Sequence, residues 1–195
     1  MNKMKIDVKL EINTGEKPKA KVLCISGKAR HGKDSCAEIL KRELEKFGKS
    51  VVIIHYADYL KMLAKQHFNW DGKKDEKGRE ILQHLGTDIV RKVNPSLWAD
   101  VVMLTVYSVF ADYDYVIVPD CRFENEIKYW YESDFDVKAI RIVRTGDFDD
   151  GLTEEQRHHS SEIDLDDYPM DIIIEAESLE EMELGVQQLI AGGDI

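Results

Sequence analysis

The stretch SGKARHGKDSC, residues 26–36, places two lysines, an arginine and a histidine around two glycines, in a chain whose formal net charge is −11. Gly27 to Lys33 fits the spacing G-x-x-x-x-G-K between a short apolar run and an amphipathic segment. Glycines let such a loop curl until its N–H groups converge on a phosphate, and the following helix adds the positive end of its dipole. Lys33 can then bridge terminal phosphates as a point charge. This stretch therefore predicts a polyphosphate-binding loop rather than a simple turn before a helix.

The residue after Lys33 departs from the usual pattern of such loops. A serine or threonine that binds Mg²⁺ is expected there, but the chain has Asp34 followed by Ser35. Asp34 could ligate the metal directly or through water, or it could be a favourable acid in the first helical turn. The sequence leaves these roles open, with Asp34 and Ser35 as the candidate Mg²⁺ ligands.

A second acid is placed to act beside this loop. The apolar run YVIVPD ends at Asp120, and open parallel sheets bind ligands beyond the carboxyl ends of their strands. An aspartate there could hold Mg²⁺ or its water shell. Arg122 and Glu126 lie four residues apart, so on a helix they would share a face. The alternative is a surface ion pair between the two.

The order of elements indicates how these groups are positioned. Five apolar runs, KVLCIS, VVIIHY, YVIV, VKAIRIV and MDIIIE, alternate with segments of helical periodicity. This order predicts a three-layer α/β/α fold with a mostly parallel central sheet. We expect helices over residues 79–93, 97–111 and 121–132. The alternating segment 5–12 predicts an extra N-terminal edge strand, and its other open role is a contact in a homodimer. We expect one domain, 1–195, in which the polar segment of about 145–168 forms a small lid.

Composition excludes several classes of protein. No apolar run reaches 18 residues, and the N-terminal segment lacks the apolar centre of a signal peptide. The three cysteines show no paired spacing, which predicts reduced thiols in a cytoplasmic protein. The acidity argues against binding to a nucleic-acid polymer. His158 and His159 lack a third ligand at recognisable spacing, so a zinc site is not expected.

Several motifs in order resemble the deoxynucleoside monophosphate kinases, especially those of bacteriophages. SGKARHGKDS is similar to the phosphate loop of that family, including the aspartate after the lysine. YADYLK is similar to its Ala-Asp-Pro-Leu-Lys segment, with Tyr59 in place of the proline. REILQHLGTDIVR followed by Trp98 resembles its substrate-binding helix, PDCRFENE its Asp-x-Arg-Phe-x-x-Glu motif, and HHSSE its His-x-Ser-Glu segment. The resemblance runs from about residue 22 to about residue 174.

The resemblance implies a P-loop kinase fold and transfer of the γ-phosphoryl group of ATP to a deoxynucleoside monophosphate, with Mg²⁺ as cofactor. It implies catalytic roles for Lys33, Arg122 and Asp120. The implied ATP-binding residues are Gly27, Lys28, Arg30, Gly32, Lys33, Asp34, Ser35 and Arg144. Arg157 is a second lid arginine that could reach ATP. The implied acceptor-binding residues are Asp58, Lys61, Arg79, Gly86, Arg91, Trp98, Asp120, Arg122 and Glu126.

Some of these expectations have competing interpretations. Trp98 could stack on the acceptor base or belong to the core, and Arg79 and Arg91 could be solvated charges on a helix surface. The segment 146–168 holds nine acids and one arginine, a poor charge balance for closing over a triphosphate. Glu175 stands where related kinases often have asparagine, which leaves the nucleobase preference open.

Two other functions compete with this one. A kinase of the animal phosphomevalonate type would share this kind of loop. A nucleotide-binding regulatory module without catalysis would explain Asp34 at the hydroxyl position. A GTPase is not expected, because no N-K-x-D segment occurs.

Overall fold

The computed structural model describes residues 18–73 and 75–195. In this part of the chain five strands form one sheet in the order β2-β3-β1-β4-β5, and every neighbouring pair is parallel. The strands are β1 (Lys21–Ser26), β2 (Val51–Ile53), β3 (Tyr115–Cys121), β4 (Asp136–Arg144) and β5 (Ile172–Ala176). The predicted edge strand 5–12 lies outside the described residues.

Helices cover both faces of the sheet. They are α1 (Lys33–Lys46), α2 (Tyr56–His67), α3 (Glu76–Gln83), α4 (Leu97–Thr105), α5 (Glu124–Tyr131), α6 (Glu154–Arg157), α7 (Ser160–Ile163) and α8 (Leu179–Gly192). β1 alternates between the two layers, because Leu23 and Ile25 pack in the core with α1 and α8, whereas Val22 and Cys24 pack in the core with α2, α4 and α5. The three-layer α/β/α architecture is therefore confirmed.

The central position of β1 explains why its C-terminal end carries the candidate phosphate loop. β1 lies between β3 and β4, and its residues 22–25 are fully buried. A loop that leaves the middle of a parallel sheet at its carboxyl edge is flanked by the ends of both neighbouring strands. Asp120 and Arg122 at the end of β3 are thereby brought next to Gly27 and Lys33.

The helix expected over 79–93 differs from the observed one. It begins at Glu76 as α3 and continues from His84 to Arg91 as a π-helical stretch. The wider π winding changes the angular spacing of side chains between Arg79 and Arg91. As a result Arg79 donates to the Gly151 carbonyl at 3.3 Å, whereas Arg91 pairs with Glu126.

Three further boundaries differ from expectation. The helix expected over 97–111 is α4 followed by a π-helical stretch, Val106–Phe110. The strand VVIIHY ends at Ile53, and α2 already begins at Tyr56, because the Asp120 carboxylate binds the first N–H groups of that helix. The helix expected from residue 121 begins at Glu124, because Cys121 still belongs to β3.

The structure also bears on the expectations about membrane spans and cysteine pairing. Within the described ranges, the helices are too short or too polar to cross a membrane. Cys24, Cys36 and Cys121 are buried free thiols.

Candidate active site

The predicted phosphate loop joins β1 to α1 and has the backbone that its glycines were expected to provide. Gly27 and Gly32 have φ values of 151° and 88°, and Arg30 has a φ of 60°. A Cβ atom on Gly27 would lie 2.6 Å from the carbonyl oxygen of Ile142 on the neighbouring strand β4. Lys33 folds over the loop, and its Nζ donates to the carbonyls of Gly27 and Lys28 at 2.8 and 2.9 Å.

Gly27→Ala is expected to lower the free energy of unfolding by about 2–4 kcal/mol, because the added methyl group meets a backbone oxygen at a strained φ. Gly48→Ala is the matched control. Gly48 also has a positive φ, 72°, but nothing lies within 4 Å of the added Cβ, so we expect a loss of only about 1 kcal/mol. Urea unfolding of both variants tests this difference. Equal losses of unfolding free energy in the two variants would show that the contact with β4 adds nothing to the cost of the positive φ.

Lys33 is surrounded by charged groups from several elements. Burial, with the positive charge of Arg122 second, lowers the pKa of Lys33 from 10.5 to about 8, while Glu162, Asp34 and Asp120 act in the opposite direction. Arg122, which directly follows β3, and the carboxylates of Glu162, Asp34 and Asp120 therefore surround the Lys33 ammonium. Groups whose pKa is shifted by burial and by specific charged neighbours are often found at functional sites.

The two candidate Mg²⁺ ligands lie in the first turn of α1. The side chain of Asp34 is 72% exposed, and its Oδ1 lies 3.4 Å from Nε2 of His55; this contact raises the pKa of His55. In residues 18–73 and 75–195 no cluster of three or more His, Cys, Asp or Glu side chains could hold a metal ion. Mg²⁺ commonly takes one or two carboxylates and completes its shell with water and substrate phosphates. Asp34 and Ser35 fit that mode of binding.

Asp120 lies at the carboxyl end of β3, as predicted, and holds the start of α2. Its two carboxylate oxygens accept from the N–H groups of Tyr56 and Ala57 at 3.0 and 2.9 Å. This cap fixes α2 against the loop. Asp58 and Lys61 of α2 bind each other at 3.1 Å, and Asp58 lies 3.4 Å from His55.

Arg122 and Glu126 do not share a helix face, because Arg122 precedes α5. Instead the Glu126 carboxylate accepts from the N–H groups of Arg122 and Phe123 at 2.7 and 3.0 Å, and it pairs with Arg91. Glu126 is 2% exposed, and burial raises its pKa to about 7 although Arg91 acts in the opposite direction. The Arg91 guanidinium lies 3.8 Å from the centre of the Phe123 ring. This cluster fixes the backbone from which the Arg122 side chain extends.

Two predicted acceptor-binding residues lie in the core. Trp98 is 3% exposed, and its indole N–H donates to the Gly86 carbonyl at 3.1 Å. This position favours the core interpretation that the sequence left open. A Cβ on Gly86 would lie 2.8 Å from Leu60, so packing of the π-helical stretch on α2 accounts for this glycine.

The segment 146–168 lies on the phosphate loop. Arg30 donates to the Asp149 carbonyl at 2.9 Å, Lys28 pairs with Asp166, and the Ala29 N–H donates to Glu162 at 3.0 Å. Arg144 stacks on Phe148 with 4.6 Å between its guanidinium carbon and the ring centre. Arg157 binds Asp150 and Glu154 of the segment itself.

Sequence reasoning missed Glu162 and Arg141. Arg122 pairs with Glu162 and donates to the Ser161 carbonyl at 3.1 Å. Arg141 of β4 donates to the carbonyls of Leu165 and Asp166, while its buried Nε has no hydrogen-bond partner among the described residues. Glu162 is the last residue of the HHSSE motif. The segment holds nine acids, however, and nothing in their sequence showed that this one faces the loop.

Two cavities flank this arrangement. A cavity of about 220 Å³ lies between the loop, β4 and α7, and Lys28, Arg122, Arg141 and Glu162 line it. A wider cavity of about 550 Å³ lies on the other side of α7, and its lining includes Thr87, Asp88, Arg91, Phe123 and Asn125.

One solved structure shares the overall fold at low sequence identity, and a second is similar over a comparable length. The protein APE1195 is 15% identical, with a TM-score of 0.51 over 90% of this chain and 97% of that chain. The Mycobacterium tuberculosis APS kinase CysC, solved in complex with AMPPNP and APS, is 17% identical, with a TM-score of 0.47 over 89% of this chain and 99% of that chain. No curated protein sequence matches this chain.

The model of one sequence family matches most of the chain. That family is deoxynucleotide monophosphate kinase, and the match covers residues 48–186. It includes Asp58, Arg79, Arg122 and Glu162, while the phosphate loop lies N-terminal to it. Because the match spans well over half of the 195 residues, this phosphotransferase is a nucleotide kinase that belongs to the deoxynucleotide monophosphate kinase family.

Proposed function

We propose that this protein transfers the γ-phosphoryl group of ATP to the 5′-phosphate of a deoxynucleoside monophosphate, giving the diphosphate and ADP. The observation that carries the proposal is the convergence of Lys33, Arg122 and Asp120 at the carboxyl edge of the sheet, around the loop between β1 and α1. Family membership supports the choice of a nucleotide as acceptor.

The proposed reaction needs positioning more than proton transfer. A phosphate oxygen of the acceptor attacks the γ-phosphorus as the bond to the β–γ bridging oxygen breaks, and that oxygen leaves on ADP. The acceptor is already an anion, so no strong general base is required. The protein must hold two phosphates that repel each other in line and neutralise the spreading charge. In this proposal Lys33 binds the donor phosphates, and Arg122 binds the groups between donor and acceptor.

The loop residues would hold the donor phosphates through backbone N–H groups, Lys28, Arg30 and Lys33. Asp34 and Ser35 would hold Mg²⁺, which supplies neutralisation of the β- and γ-phosphate oxygens when bound. Arg144 lies at the end of β4 beside Phe148 and His31, a position from which it could contact ATP.

The acceptor requires a cavity that can hold a nucleoside, and one lies between the π-helical stretch, the start of α5 and α7. The cavity of about 550 Å³ lies within the usual size range for small-molecule sites, about 300–1,000 Å³. Arg91 and Asn125 line it with polar groups, while Asp88 adds an acceptor for base N–H groups. We assign this cavity to the nucleoside of the acceptor. Arg79 and Lys61, which the resemblance implies for the acceptor, do not line it.

Turnover tests the proposal directly. ADP release from Mg²⁺-ATP should be measured with dGMP, dTMP, 5-substituted dCMP, dAMP and phosphomevalonate as separate acceptors. Turnover with a deoxynucleotide would establish the reaction and identify its acceptor. Turnover with phosphomevalonate alone would retain the fold and replace the substrate. ATP binding without turnover on any acceptor would favour a regulatory module.

ATP affinity is expected to depend on pH through Lys33. Its pKa of about 8 means that the free protein loses this positive charge as the pH rises through 8, while bound phosphates would retain the proton. We therefore expect the Kd of ATP to be about tenfold higher at pH 9 than at pH 7. Calorimetric titration measures this ratio. In Lys33→Arg the charge persists across this range, so the Kd of ATP should depend much less on pH. A wild-type Kd that does not change with pH would contradict the proposed contact between Lys33 and ATP.

A further inference from the structure

We propose that Glu162 is a resident anion in the phosphate site, and that ATP must displace it together with the acidic segment 146–168. The inference rests on the proposed function, because it assumes that this loop receives the phosphates of ATP. It gives Glu162, which the sequence analysis did not single out, a defined role.

The Glu162 carboxylate takes up donors that a phosphoryl group would use. One oxygen accepts from the N–H group of Ala29, inside the loop, at 3.0 Å, and the other pairs with Arg122. The side chain is only 7% exposed. A carboxylate and a phosphate cannot accept from the same N–H group at the same place, and two anions in contact repel strongly. Bound phosphate and bound Glu162 therefore exclude each other.

Other acids of the segment engage the remaining cations of the loop. The Asp166 carboxylate pairs with Lys28, and the Asp149 carboxylate lies 3.7 Å from Arg30. The Lys28 ammonium also donates to the Glu162 carbonyl at 2.6 Å. These contacts account for three of the nine acids, Asp149, Glu162 and Asp166, in a segment with one arginine. These acids neutralise the cations of the loop, as the phosphates of ATP would.

Displacement of the segment would release Arg122 as well. In the present structure Arg122 is held by Glu162 and the Ser161 carbonyl. Arrival of phosphate in place of the carboxylate would leave that guanidinium facing the group to be transferred. ATP binding would thus be coupled to movement of α7 and to the availability of a cation for the reaction.

The affinity of the non-hydrolysable analogue AMPPNP tests the competition. Glu162→Gln removes the charge but keeps the size, so its Kd should be about tenfold lower than that of the wild type. Glu155→Gln is the matched control, since it makes the same charge change in an exposed acid of the same segment; we expect it to change the Kd less than twofold. An unchanged or higher Kd for Glu162→Gln would overturn the proposal.

Hydrogen exchange of the wild-type protein gives a second measurement that needs no variant. With AMPPNP bound, amides of residues 154–166 should exchange faster than in the free protein, while amides of residues 28–34 should exchange more slowly. Slower exchange in both segments would mean that the segment closes over the nucleotide and would overturn the proposal. Absence of AMPPNP binding to the wild type would instead count against the proposed function, so the two failures are distinguishable.

Discussion

Lys33→Ala is expected to lower the turnover number for ADP formation by about 10³-fold, because in the proposed reaction this buried ammonium neutralises the transferred phosphate. The Lys33 ammonium lies on the curled loop, where it donates to the Gly27 and Lys28 carbonyls at 2.8 and 2.9 Å. Phosphate oxygens would replace these carbonyls as its partners. The measurement is steady-state turnover at saturating ATP with the preferred acceptor.

Lys41→Ala is the control for this prediction. Lys41 lies on the surface of the same helix α1, where it pairs with Glu45 at 3.9 Å, and its loss should change turnover less than twofold. A Lys33→Ala variant that keeps a tenth or more of wild-type turnover would show that the loop does not hold the transferred group. Equal effects of both substitutions would indicate damage to the fold of α1.

The sequence predicted the parts of this site that depend on neighbours along the chain. Gly27 to Lys33 is a local spacing, and the apolar runs before and after it are local patterns. Asp120 was predicted from its place at the end of one strand. Because strand order follows from a few rules of α/β topology, local patterns were sufficient to bring Asp120 to the loop.

Pairings between distant residues were not predictable in the same way. The hydrogen bonds of Asp120 to the start of α2 join residues 63 and 64 positions apart, and those of Glu162 to Ala29 join residues 133 apart. No periodicity encodes which acid of nine faces a given N–H group. The π-helical stretch from His84 to Arg91 is a further example, because a period of 3.6 residues cannot show where the winding widens.

The buried pair of Arg91 and Glu126 shows why the type of a residue alone does not predict its role in a site. Both residues were expected at the acceptor side. In the structure the Glu126 carboxylate pairs with Arg91 and accepts hydrogen bonds from the N–H groups of Arg122 and Phe123. Glu126 therefore holds the backbone of Arg122, while Arg91 also lines the wider cavity. The local sequence pattern does not distinguish a solvated arginine on a helix surface from an arginine in a binding site.

Arg122→Ala is expected to lower turnover by about 10³-fold or more, because an arginine that neutralises the transferred phosphoryl group contributes on the order of 10³–10⁵ to the rate. Its backbone is held by Glu126, and its guanidinium lies among Lys33, Glu162 and the loop. Arg122→Lys should recover only part of this loss, because an ammonium cannot donate bidentately from the same place. Turnover at saturating substrates is again the measurement.

Binding separates the catalytic role of Arg122 from its contact with Glu162. Loss of Arg122 removes one partner of the Glu162 carboxylate but none of the donor-side cations Lys28, Arg30 and Lys33. AMPPNP affinity of Arg122→Ala should therefore stay within about threefold of wild type while turnover collapses, since the proposed role of the guanidinium lies mainly in the transition state. Arg42→Ala, on the exposed face of α1, controls for the loss of a positive charge and should keep its turnover. A parallel loss of AMPPNP affinity and turnover in Arg122→Ala would place this arginine on the ground-state nucleotide instead, and the transferred group would then depend on Lys33 alone.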